Sequence, residues 1–310
     1  MKQWHERQPV QALIQDSSQD PRLVENLKSV DRMIEFAFVQ YGIDVRDSYR
    51  YYIDTGDSPP QWLVSAAPVF SVEPKQWCYP IAGCINYRNF WLREDAERLA
   101  NELTRQGYDV SIHGASAWTT LGWFSDPIMS NWLSDDSIET ARVLFHEVAH
   151  RAFYVNDDPD LNEAFASFFG DLMAREWALS QGLEVPRTNF NYEVDQRIAD
   201  TRSNLSDLYK STLTHDEKLQ EKSRIFDELS ATYPTLSYLP SNNAELAMFS
   251  TYYLWVPAWQ QQWRSCEDAL SFLKYTEYLA RLHDDERLAA LGNNNCDANE
   301  EFNELLAGEI

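Results

Sequence analysis

The six residues FHEVAH, 145–150, constrain this chain more than any other stretch. They lie in an apolar run that includes Ile138, Ala141, Val143, Leu144, Val148 and Ala149. The run opens with DSIE, in which Asp136 fits an N-cap and Glu139, three residues later, completes the pattern of a capping box. Residues 136–154 therefore read as a mostly buried helix. Two histidines and a glutamate in such a helix need partners, because an unpaired polar group there is costly. Positions four apart share a helix face, with Cβ atoms about 5–6 Å apart, so His146 and His150 can converge on one metal ion. Glu147 is turned about 100° from His146. That places a carboxylate beside the ion, where it can serve as base toward a water the ion activates. The competing reading is two core histidines satisfied by backbone carbonyls.

A catalytic zinc keeps three protein ligands and one open position, so a third ligand decides between the two. The following stretch, YVNDDPDLNEAFASFFGD, supplies one. Asn156 can end the first helix in a left-handed turn. Asp158 can cap a second helix with Pro159 at its first position. A connection this short makes the helices antiparallel. At about 1.5 Å per residue, the chain climbs roughly 6 Å from His150 to Tyr154 and descends roughly 7.5 Å from Asp158 to Glu163. Glu163 thus returns to the level of His150. Ala166, Ser167 and Gly170 follow on its face and are small enough to let the helices close up. His146, His150 and Glu163 make a His₂Glu set suited to one Zn²⁺ per chain.

Before this helix pair the chain reads as mixed. Leu23, Leu27, Val30, Ile34 and Phe38 keep helical spacing over 21–41. SYRYYI (48–53), WLVSAAPVFSV (62–72) and YDVSIHG (108–114) read as strands, and 91–107 reads as a helix closed by Gly107. No glycine occurs between Gly182 and Gly292, and from about residue 135 the pattern is almost all helix. The expected fold class is α+β. A mixed strand and helix part, 1–125, packs on a mainly helical part, 126–310, that carries the histidine helix, and the two can also form one continuous domain.

Against 26 basic residues the chain carries 49 acidic ones, a net charge of −23, which excludes a nucleic-acid partner. No apolar run is long enough for a transmembrane segment, and MKQWHERQPV has no signal-peptide core, which reads as cytoplasmic. Cys78 and Cys84 are close enough in sequence for a disulfide in an oxidising compartment, and equally unremarkable as buried thiols. Oligomeric state is not legible.

Four blocks in order resemble a known family, the bacterial predicted zinc aminopeptidases built like gluzincins. They are AAPVFSVEPKQWCYPIAGCINYR (66–88), SAWTTLGWFSDP (116–127), FHEVAHRAFYVNDDPDLNEAFA (145–166) and NNAELAMFSTYYLWVPAW (242–259). The resemblance implies a zincin-like scaffold, zinc, a peptide substrate, His146, His150 and Glu163 as ligands, and Glu147 as general base. It also implies a periplasmic or lipoprotein-anchored location, in contrast to the leaderless reading. Ser167 stands where many gluzincins place an aspartate behind a ligand histidine, which leaves Asp171 as one substitute.

Peptide hydrolysis also needs a donor to the oxyanion. Tyr252 is the nominee, with Tyr154 and Tyr253 in competition. His113 reads as a strand cap and His283 as part of a solvated face. TTLGWF (119–124) reads as an edge strand for an extended substrate or a buried connector, and Asn242 and Asn243 as substrate contacts or helix caps. A non-catalytic zinc- or peptide-binding protein on the same scaffold is the alternative function. An intact Glu147 speaks against it.

Overall fold

The structure, a computed structural model, describes residues 7–56, 59–79, 83–115, 126–185, 187–188, 190–291 and 296 of the chain. It opens with β1 (Gln8–Pro9), α1 (Val10–Gln15) and the long α2 (Pro21–Tyr41). Asp20 caps α2 by accepting from the Arg22 amide, Pro21 occupies its first turn, and Gly42 closes it at φ 72°. Leu27, Val30 and Ile34 of the predicted stripe are buried, joined by Met33 and Ala37, while Leu23 and Phe38 at its ends are only partly buried. β2 (Tyr51–Ile53) is shorter than the expected strand over 48–53. Tyr49 sits at φ 60° and gives its amide to the Asp126 carbonyl at 2.6 Å, so residues 48–50 leave the extended path.

The sheet that matters for function comes next. β3 (Trp62–Pro68), the disulfide hairpin strands β4 (Trp77–Tyr79) and β5 (Gly83–Ile85), β6 (Tyr87–Phe90), α3 (Arg93–Arg105) and β7 (Tyr108–Gly114) follow in order. β3 is central and antiparallel to both β6 and β7. The strand expected over 62–72 stops at Pro68, where the chain turns and Ser71 donates to the Pro68 carbonyl. Alternation sorts the two faces. Val64, Ala66, Val110 and Ile112 pack with Ala96, Ala100 and Leu103 of α3. The register puts Leu63 opposite His113 and Asn89, and Ser65 opposite Ser111 and Tyr87, on the other face. Residues 116–125, and with them the expected TTLGWF strand, lie outside the described residues. β8 (Ile128–Met129) pairs in parallel with β2.

From here the described chain is helical: α4 (Ser137–Ala149), α5 (Pro159–Ser180), α6 (Tyr192–Lys210), α7 (His215–Thr232), α8 (Asn243–Tyr253), α9 (Val256–Ser265), α10 (Ala269–Arg281) and α11 (Asp284–Leu291). Asp136 caps α4 as expected, accepting from Ile138 N. The capping box does not form, because Glu139 pairs with Arg142 at 2.7 Å instead. Asp158 and Pro159 open α5 as expected. The turn between the helices differs in detail. α4 ends at His150, four residues earlier than expected, and the left-handed residue is Asp157 (φ 63°), not Asn156. The Asn162 side chain spans the connection, bonding the amide and carbonyl of Val155 at 2.8 and 2.7 Å.

α4 and α5 run antiparallel, since Asn162, Glu163, Gly170 and Asp171 meet Val155, His150 with His146, His146 and Arg142 in turn. Gly170 is what lets them approach. A Cβ there would lie 2.7 Å from His146 N and 2.8 Å from its Cα. Around the pair, Phe145, Phe165 and Phe169 are fully buried; Phe145 meets Phe36 of α2, Phe165 meets Phe153, Trp259 and Phe272, and Phe169 meets Phe272. Leu27, Val30 and Met33 of α2 belong to this same core. Cys78 and Cys84 are disulfide-bonded across the β4–β5 hairpin, and Cys266 is bonded to Cys296.

Candidate metal centre

α4 presents His146 and His150 toward α5, and α5 presents Glu163 back. Glu163 Oε2 lies 3.2 Å from His146 Nε2 and 3.7 Å from His150 Nε2. The three residues each offer a donor atom within 4.8 Å of the others, so the group could hold a metal ion. Its separations can be tested against a tetrahedral ion. Donors at 2.0–2.2 Å from zinc stand roughly 3.3–3.6 Å from one another, and the two measured distances bracket that range. Two imidazole nitrogens and a carboxylate are also the donor types zinc takes in such sites.

Burial sets the charges. The His150 ring is buried, and desolvation pulls its pKa down to about 4, so its nitrogens are neutral and free to ligate at pH 7. Burial opposes the ionised form of Glu163, but the adjoining histidines outweigh it and hold the carboxyl below its usual value. Burial also lowers the basicity of His146, and its hydrogen bond to Glu163 and the nearby carboxylates reverse that into a net rise. Glu147 is pushed up to about 7, first by burial, then by the charges of Glu163 and Asp126 against the opposing pull of His146. A carboxylate poised near neutrality can both take and return a proton.

The cluster opens onto a cleft of about 870 Å³. Its floor is α4 and α5. One wall is the free face of the sheet, with Leu63, Tyr87, Asn89 and His113, and the other is built on α8. Tyr252 of α8 stacks over His146, with ring centroids 6.1 Å apart and planes at 29°. Burial, then the charge of Glu163, holds its hydroxyl protonated well above the usual range, which leaves it a hydrogen-bond donor. Tyr253 packs on Phe190 and Phe249, and Tyr154 is 38% exposed.

Tyr87 was not singled out by sequence, and it lines the same cleft. Burial and then the charge of Glu163 raise its hydroxyl pKa as they do that of Tyr252. Its neighbour Asn86, buried, donates to Asp160 at 2.8 Å and Thr251 at 3.0 Å, which ties β6 to α5 and α8. The Cys78–Cys84 hairpin is docked in turn by the Asp157 carboxylate, which accepts from Cys84 N at 2.8 Å.

Asp171 pairs with Arg142 Nε at 3.4 Å, and the buried His150 Nδ1 has no hydrogen-bond partner among the described residues. Asn242 caps α8 by accepting from Glu245 N. Asn243 is fully buried and bonded to the Pro68 and Val69 carbonyls, so capping and docking win over substrate contact. His113 is not a strand cap but lines the cleft, with Ser111 Oγ 2.8 Å from its Nε2. His283 is exposed, as expected of a solvated face.

A family model described as "Putative aminopeptidase" matches residues 1–291. The chain belongs to that family. No curated protein and no solved structure matches it. That family description suggests a peptidase of aminopeptidase type, for which a peptide is the expected substrate. Among the described residues no helix is long and apolar enough to cross a membrane.

Proposed function

We infer that this protein is a zinc-dependent peptidase of gluzincin type, with aminopeptidase activity as its family description suggests. The observation that carries the reading is the convergence of His146, His150 and Glu163 from two helices, with Glu147 beside them, at the floor of an open cleft. His146, His150 and Glu163 would hold the metal. When bound, zinc supplies a Lewis acid that acidifies water and polarises a carbonyl.

The protein's own part is proton handling and positioning. Glu147 takes the proton of the water that attacks the scissile carbonyl carbon and then delivers it to the nitrogen of the departing amine. The carbon–nitrogen bond breaks and a carboxylate and a free amine leave. Its carboxyl value near 7 suits both halves of that cycle. The Tyr252 hydroxyl donates to the oxyanion as it forms, a role for which a protonated, buried phenol at the site is fitted. Tyr87, across the cleft, is a second donor of the same kind.

The scaffold reading is zincin-like, with the N-terminal sheet forming one cleft wall. The packing of α2 against α4 and α5 favours one continuous unit over a division near residue 125. The two disulfides fit an oxidising compartment outside the cytoplasm.

A mass-spectrometric digest of a mixed peptide library tests the reading. Zinc-loaded protein is expected to release products. Stripping the metal or substituting Glu147→Gln should abolish them, since the amide cannot accept the proton. Full activity of Glu147→Gln would overturn it.

A further inference from the structure

Two stripes of side chains face each other across the cleft, and they differ in kind. On α8, Glu245, Met248, Phe249, Tyr252 and Tyr253 follow helical spacing along one side. Tyr252 lies over the candidate metal centre. One turn back, roughly 6 Å along the axis, stand Met248 and Phe249. Around them Phe190, Tyr238, Leu239 and Tyr253 complete that wall. None of these six carries a formal charge. The opposite wall presents Gln61, Asn89 and His113, Glu245 stands at the far end of the α8 stripe, and Glu139, Arg142 and Asp171 lie along the floor.

The apolar wall is built in advance. Phe249 and Tyr253 stack with centroids 4.6 Å apart, and Phe190 meets Tyr253 edge-on at 6.0 Å. Phe190 is 6% exposed and Met248 9%, so their positions are fixed by packing. An extended substrate advances about 3.3 Å per residue. A substrate lying along α8 with its scissile bond at the metal centre brings a large side chain beside that bond within reach of Met248 and Phe249.

We propose that this wall is the subsite for a large apolar side chain, leucine- or phenylalanine-like, of the substrate residue adjoining the scissile bond. The proposal rests on the peptidase reading for its reaction, but not for its binding. A wall of packed aromatics gains from burying a large apolar group, while the carboxylates nearest it, Glu245 on the same helix and Asp195 and Asp171 beside Tyr253, disfavour an acidic side chain.

The test uses four neutral-ended probes, the N-acetyl amides of phenylalanine, leucine, alanine and aspartate, titrated into the full chain and followed by NMR. No turnover is needed. The phenylalanyl and leucyl amides should bind at least about tenfold more tightly than the alanyl one, the order expected when a pocket gains even one methylene or more, and the aspartyl amide most weakly. Phe249→Ala should bring the phenylalanyl-to-alanyl ratio below about threefold. If that variant melts early, Tyr238→Asp, at a half-exposed position, should move the ratio the same way. Equal binding of all four amides, or a ratio unchanged in the folded variants, overturns the subsite. Cleavage products from the library digest separate the two readings. Hydrolysis without preference for a large apolar residue beside the cut removes the subsite and leaves the peptidase. Selective binding of the amides without any hydrolysis does the reverse.

Discussion

Replacing Gly170 with alanine puts two physical effects in opposition. Alanine in a helix interior is worth about 0.5–1 kcal/mol over glycine, so by propensity alone the variant is more stable. The structure reverses that sign. The new Cβ would fall 2.7 Å from His146 N, 2.8 Å from His146 Cα and 3.1 Å from Phe145 C. All three are backbone atoms, so no rotamer change relieves them. Ordinary contact lies at 3.4 Å or more, and α4 must move off α5 by about 0.7 Å. The surrounding core is fully buried at Phe145, Phe165 and Phe169, and forcing it apart costs about 1–3 kcal/mol. The net expectation is a loss of about 1–2 kcal/mol by urea denaturation. The same shift separates His146 from Glu163, which face each other across this gap at 3.2 Å. Zinc affinity, measured by competition with a chromophoric chelator, should fall at least about tenfold, as it does when the support of a ligand is disturbed. Ser167→Ala on the same face serves as control, with little change expected in either quantity. A Gly170→Ala protein as stable as wild type or more so, with zinc affinity intact, would refute the close-packing argument.

Asp195, in the first turn of α6, has its carboxyl pushed up to about 6 chiefly by burial. A carboxyl raised in the folded state holds its proton more tightly there, so its penalty is absent below about pH 4 and fully present above pH 6. The group is close to half exposed, which reduces the effect to about 1 kcal/mol. Asp195→Asn should therefore melt about 2 °C higher at pH 8 relative to wild type than it does at pH 4, and an offset that does not change with pH would contradict this. Thiol titration of the denatured, unreduced chain should find no free thiol. Loop entropy gives about 2 kcal/mol for the 6-residue Cys78–Cys84 closure and about 3.5 kcal/mol for the 30-residue Cys266–Cys296 one, so the double serine variants should be destabilised in that order. Tyr252→Phe should lower kcat by about 10²–10³ with little change in KM. An unchanged kcat in that variant, with a large drop in Tyr87→Phe, moves the oxyanion role to Tyr87.

Local physics made much of this molecule legible in its sequence. Helical period found α2 and the buried face of α4, and the rise of two antiparallel helices brought Glu163 level with the histidines without any knowledge of the core. The α4–α5 turn is right in kind, but α4 ends four residues early and the left-handed residue falls one later, because asparagine and aspartate both tolerate that backbone and the docking of Asp157 on Cys84 favours the second. The capping box at Asp136 failed for a reason visible only in three dimensions. Arg142, one turn on, takes the Glu139 carboxylate while also reaching Asp171. Tyr87 is not marked by the sequence and His113 reads there as a strand cap, because a strand declares its two faces but not what lies opposite either of them. The pairing with β3 and the packing of α8 decide that, and both are long-range. The same holds for the partner of Cys266.

The proposed metal site of His146, His150 and Glu163 is separate from the proposed base, Glu147. Zinc content per chain after exhaustive dialysis, measured by plasma mass spectrometry on wild type, Glu147→Gln and Glu163→Gln, tests it in one experiment. The expected result is one zinc per chain in wild type and in Glu147→Gln, and little or none in Glu163→Gln. Full occupancy in Glu163→Gln, or none in wild type, contradicts it.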